Sequence, residues 1–298
     1  MTFDPLIVQA PDTLAAASPA VEHGEGGNLF GELLHHVYDS HEMELPFIGK
    51  VELPQFAPVH IGSFTIDFSI TKHVVFLWAG AFLLIVLGAV AAGMNRKNST
   101  PRGFGNLMEV FVLFIRDEIA IPNMGPGGVA YLPYLLTTYF FILIMNLTGL
   151  VPYGATATAN VSVTGGLALI AFLMIQLSAI RAQGLGHYVK HLTGGVHWAL
   201  WPIMIPIEIL GLFTKPFALM IRLFANMIGG HIVIVSLIGL IFIFKSYIIA
   251  PVSIAFVLGI SMLELFTAFL QAYIFTMLTS LFMGLGMQAA HESEEHDH

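Results

Sequence analysis

The chain has 298 residues, of which 56% are hydrophobic and only 10% charged, with a formal net charge of −8. A soluble domain carries roughly a quarter charged residues, so too little polar surface exists here to cover a water-soluble globule, and lipid must be part of the solvent. The mean hydropathy of +0.82 agrees, the lack of cysteine excludes disulfide frameworks, thiol catalysis and thiolate metal sites, and without a basic patch nucleic-acid binding is excluded.

Residues 1–69 hold ten Asp/Glu against one cation, Lys50, and read as a polar, acidic extension outside the membrane. The start, MTFDPLIVQAPD, lacks the basic and apolar regions of a signal peptide. Within the extension, Asn28–Asp39 has the pattern of a short amphipathic helix. From His73 to Asn95 no Asp, Glu, Lys or Arg occurs, enough to cross ~30 Å of hydrocarbon as a helix. A basic loop, Asn95–Arg102, follows. Gly103–Ile121 mixes apolar residues with Glu109, Arg116, Asp117 and Glu118, a composition suited to an amphipathic helix lying in the interface. Ile119 to Ile180 carries no formal charge and holds two spans, near Val129–Val151 and Asn160–Ile180, with the turn at Pro152–Gly154. After polar Arg181 to His197, two apolar stretches, Trp198–Phe244 and Ser246–Ala290, exceed a simple span and must tilt, bend or protrude. The expected fold is therefore an all-α membrane protein. It has about five spanning helices and one interfacial helix, and the last two spans are long, tilted and antiparallel. The helical domain covers residues 70–290, with the ion-path core at 203–290, and 291–298 form an acidic tail.

Lys and Arg in short loops set orientation. Arg96, Lys97 and Arg102 follow the first span and Arg181 and Lys190 the third, so these loops are expected to face the cytoplasm. The N-terminus then lies outside and the C-terminus inside, with Lys245 a minor exception.

The two long apolar stretches contain Glu208, Lys215, Arg222, His231 and Glu264. Charge within a membrane costs ~2.5–3.5 kcal/mol on insertion scales, which makes each a functional candidate. Arg222 stands out. No acidic residue lies within ten positions of it, and a guanidinium stays charged at any accessible pH. It is a poor proton carrier, but a good electrostatic barrier and a good partner for a carboxylate on another subunit. The alternative is a pair with Glu264 that joins helices. Asn226, four residues on, shares its helix face, although a buried Asn also serves as a helix contact. His231 lies about 13.5 Å beyond Arg222 along an ideal helix, and histidine titrates near physiological pH. If Gln271 on the antiparallel last helix is level with Arg222, Glu264 lies about 10.5 Å outward and meets His231 within about a turn. Such a layout makes a polar path from outside, or else a self-neutralising structural pair. Glu208, about 21 Å toward the inside, lines a second path or sits at the membrane surface. Lys215 can snorkel to water.

The segments TKPFALMIRLFANMIGGHIV, LELFTAFLQAYIFTMLTSLF and MNLTGLVP resemble subunit a of the F-type ATP synthase, over about residues 70–290. The RLFxN core with Gln-Ala-aromatic-Ile-Phe downstream is specific to that family. The resemblance implies that Arg222 is the essential arginine facing the ring of c subunits, Asn226 the asparagine after it, and Gln271 the glutamine facing it. It further implies that Glu208 belongs to the inner half-channel. His231 and Glu264 match two half-channel positions at which some bacterial members have Glu then His, and their order here is similar to that in mitochondrial members. Asn146 and Asn160 match polar positions near the outer half-channel. Gly149 departs from members with Asp there, so a role for that carboxylate does not carry over. The implied partners are the c-ring, b-type stalk subunits and lipid, in a bacterial inner membrane, with no cofactor and no metal.

The histidines at His35, His36 and His41 and the tail HESEEHDH read as solvated rather than metal-binding. Gly229 and Gly230 follow no strand and form no phosphate loop; no such loop occurs anywhere, so nucleotide hydrolysis by this chain is not expected. Two rivals remain. A stand-alone proton-coupled transporter would show internal repeats, which are absent from the sequence. A structural anchor would not need a lone arginine between titratable groups. Histidine in the path favours H⁺ over Na⁺ as the ion.

Overall fold

The computed structural model describes residues 42–45, 49–52, 54, 59–61, 64–66, 71–97, 103–151, 157–186, 188, 201–244 and 249–296. Among the described residues, five helices are long and apolar enough to cross a membrane, as expected. They are α1 (Lys72–Lys97), α3 (Leu132–Gly149), α4 (Val161–Gln183), α5 (Trp201–Phe244) and α6 (Ile249–His296). Between the first two lies α2 (Phe104–Phe114), which continues through a π-helical turn, Ile115–Ala120, into Ile121–Met124. Before α1, two antiparallel hairpins occur that the sequence reading left as irregular tail: β1 (Glu42–Leu45) with β2 (Gly49–Glu52), and β3 (Val59–Ile61) with β4 (Phe64–Ile66). The helix expected at Asn28–Asp39, the turn at Pro152–Gly154 and the acidic tail's last two residues fall outside the described residues.

The helices begin and end where local chemistry dictates. At the start of α4, Asn160 accepts a hydrogen bond from Ser162 N at 2.8 Å, a side-chain cap on a free helical N–H. In α5, Pro206 and Pro216 lie inside the helix. Each removes a backbone donor, so Pro216 leaves the carbonyl of Leu212 without its partner and permits a bend. At 44 residues, α5 has a contour of about 66 Å against ~30 Å of hydrocarbon, so it tilts or projects.

The centre of the bundle is α6, which packs against α3, α4, α5 and the tail of α2. Its buried residues, Glu264, Ala268, Gln271, Ala272, Phe275, Thr276, Thr279, Ser280 and Met283, recur three and four apart and form one face. Small side chains there let neighbouring backbones approach. The hydroxyls are satisfied inside the protein: Thr276 donates to Ala272 O at 2.9 Å and Thr279 to Phe275 O at 2.8 Å. Ser280 reaches across to Ile119 O at 3.1 Å, which also accepts from Asn123 Nδ2 at 2.8 Å. The π turn widens the helix and releases that carbonyl, and α6 supplies its donor. Phe275 fills the space among Ile115, Ile119, Leu135, Ile142 and Leu223, all fully buried.

The closest approach of backbone to a glycine is at Gly284, where an added Cβ would overlap the carbonyl oxygen of Asn123. Gly284→Ala is expected to push α6 away from α2 and to cost about 1–3 kcal/mol, seen as a lower thermal midpoint of the purified protein. Gly259→Ala on the same helix, where a Cβ meets nothing within 4 Å, should leave the midpoint unchanged or slightly raised.

Candidate functional site

The ionisable residues of α5 and α6 divide into two kinds. His231 and Glu264 come together as the spacing argument anticipates, with His231 Nδ1 3.0 Å from Glu264 Oε1. Glu264 is 3% exposed. The approach lacks the alignment of a good hydrogen bond, and Glu264's second oxygen, Oε2, has no partner among the described residues. Gly230 makes the approach possible, because a Cβ there would sit 2.9 Å from Glu264 Oε1. The adjacent Gly229 is uncrowded, with nothing within 4 Å of an added Cβ. The Gly-Gly pair therefore works through one member, beside the histidine.

Arg222 behaves differently. It is exposed, and among the described residues no ion pair holds it. Pairing with Glu264 is not the arrangement found, since Glu264 faces His231. Arg222 lies on an apolar helix, next in sequence to Ile221, which is also exposed. Asn226 is half-buried. Gln271 is buried and its Nε2 has no partner among the described residues, and no hydrogen bond joins it to Arg222.

On the other limb, Glu208 is half-buried near the start of α5. Two residues that the sequence reading passed over are found with it. Tyr188 donates its hydroxyl to Gln176 Oε1 of α4. Burial first, and then the negative charge of Glu208, push the Tyr188 phenol up, so it stays protonated and remains a donor at neutral pH. The available signal was Gln176, a lone amide inside an apolar span.

The remaining sequence candidates are also located. Asn146 is buried in α3, where its Oδ1 accepts from Thr158 Oγ1 at 2.9 Å while its Nδ2 has no partner among the described residues. Thr158 lies in the 3-10 turn Ala157–Ala159, which packs against α5. Asn160 is engaged as the α4 cap. Lys215 places Nζ 5.2 Å from the centroid of the Phe282 ring, a cation–π contact.

Residues 74–284 match the ATP synthase A chain family. This chain belongs to that family. It is 54% identical over 273 residues to ATP synthase subunit a of Chloroherpeton thalassium, covering 90% of this chain and 80% of the relative. Against ATP synthase subunit a 2 of Chlorobaculum tepidum it is 50% identical over 298 residues, covering 98% and 82%. ATP synthase subunit a of Myxococcus xanthus is 52% identical over 235 residues, covering 78% of each. The family match begins after the two hairpins and ends within α6, so it spans all five membrane helices and every ionisable group described above.

The two glycines offer a sharp test of the pair. Gly230→Ala should displace Glu264 from His231 and lower ATP synthesis in membranes by at least ~10-fold, as a shift of about 1 Å at a reacting group can. Gly229→Ala should leave the rate near that of wild type.

Proposed function

We propose that this chain is the stator proton-channel subunit of an F-type ATP synthase. The observation that carries the reading is Arg222, an exposed guanidinium on an apolar helix long enough to span the membrane, with no ion-pair partner among the described residues. In contact with lipid that arrangement is costly. A second surface bearing carboxylates, turning past α5 and α6, resolves the cost and gives the charge a use.

The ring of c subunits supplies those carboxylates. A proton enters from outside past Asn146, Asn160, His231 and Glu264, and neutralises one of them. In neutral form that carboxyl faces lipid cheaply, which an ionised one does not. After nearly a full turn it meets the inner half-channel at Glu208 and releases the proton. Arg222 favours the ionised carboxylate as it passes and blocks direct leakage between the two half-channels, with Asn226 and Gln271 beside it. Each charge crossing 100 mV releases ~2.3 kcal/mol. The chain itself has no phosphate loop and is not an enzyme alone; torque passes to a separate catalytic sector, with b-type stalk subunits holding the stator. The domains follow the membrane: 1–69 outside, 70–290 within, 291–298 in the cytoplasm of a bacterial cell, as the positions of Lys and Arg support.

Membranes carrying Arg222→Ala should show ATP synthesis at background, with a c-ring still co-purifying. Wild-type synthesis in that variant would end the proposal. Glu208→Gln should slow synthesis without opening a leak.

A further inference from the structure

A second feature lies away from the ionisable groups of α5 and α6. A cavity of about 710 Å³ opens between α1, α2 and α3, walled by Leu84, Leu87, Gly88, Phe111, Phe140 and Leu143 among others. At about 30 Å³ for a water-sized group, it has room for roughly twenty methylenes, the volume of one acyl chain. Its walls are almost wholly apolar; water entering it would find few polar partners. The one charged group in the wall is Glu109. Its Oε2 is shut off from solvent and has no hydrogen-bond partner among the described residues. Buried polar atoms are rarely left so.

We infer that this cavity holds a bilayer phospholipid, with an acyl chain between α1, α2 and α3 and a primary-ammonium headgroup at Glu109. Two observations fix the occupant. The volume and lining suit a hydrocarbon chain. The unpartnered carboxylate oxygen needs a donor, which an ethanolamine ammonium has and a choline headgroup lacks. α1 is otherwise lightly held, touching mainly α2 and α3, so the lipid completes its seat. The inference does not depend on the proton path.

Native mass spectrometry of the intact ATP synthase, extracted in mild detergent, counts tightly held phospholipid. Gly88 is the place to block the cavity, since an added Cβ there meets nothing within 4 Å, and Gly93 on the same helix is equally open but outside the cavity. Gly88→Phe should lose one phospholipid per complex and Gly93→Phe none. In vesicles of mixed ethanolamine and choline lipid, wild type should retain the ethanolamine species at least ~10-fold over choline, and Glu109→Gln should bring the two near parity. A photo-crosslinker at Val112 in an otherwise wild-type chain should label phospholipid, and this arm needs no assembled Gly88 variant. Full lipid retention in Gly88→Phe, unchanged headgroup preference in Glu109→Gln, or labelling of another subunit at Val112 would each overturn the assignment.

Discussion

A charge in hydrocarbon must be neutralised, hydrated or partnered, and this constraint orders the whole membrane domain. Glu264 is 3% exposed and meets His231 across the α5–α6 contact. Both members of that pair can shed charge by moving a single proton. Arg222 cannot, and it has neither a partner among the described residues nor a buried position. One site is thus internally compensated and the other is left to be compensated from outside.

Backbone proximity makes the compensated site possible. The buried face of α6 is built from alanines, hydroxyl residues and glycine, and Gly230 on α5 admits the Glu264 carboxylate where a methyl group would crowd it. Hydroxyl groups bond back to their own helix or to the π turn, so polar residues on this face add no unsatisfied donors. Gln271 is the exception, with a buried amide nitrogen left open.

Apolar run length made the five spans legible, because the solvent demands a fixed number of uncharged residues. Helical geometry likewise anticipated the meeting of His231 and Glu264, since 1.5 Å per residue on antiparallel helices leaves little freedom. Other features could not be read. The strands of the two hairpins do alternate, as EMEL, VHI and FTI show, but at three or four residues each the runs are too short to stand out from a polar tail. The π turn at Ile115–Ala120 has no composition of its own and is stabilised by Ser280, 161 residues away. Tyr188 and Gln176 are joined across a turn of the chain, which no local spacing encodes. Asn160 illustrates a different limit: its position before an apolar run is also that of a helix cap, and the structure uses it as one.

The separation of the two half-channels by Arg222 is tested most directly by passive proton flux through the membrane sector in vesicles. Wild type and Arg222→Ala are compared under an imposed potential, with sodium varied. The account requires flux in wild type that is independent of sodium, and a leak uncoupled from rotation in Arg222→Ala. Equal, coupled flux in both would show that Arg222 is structural and that the barrier lies elsewhere.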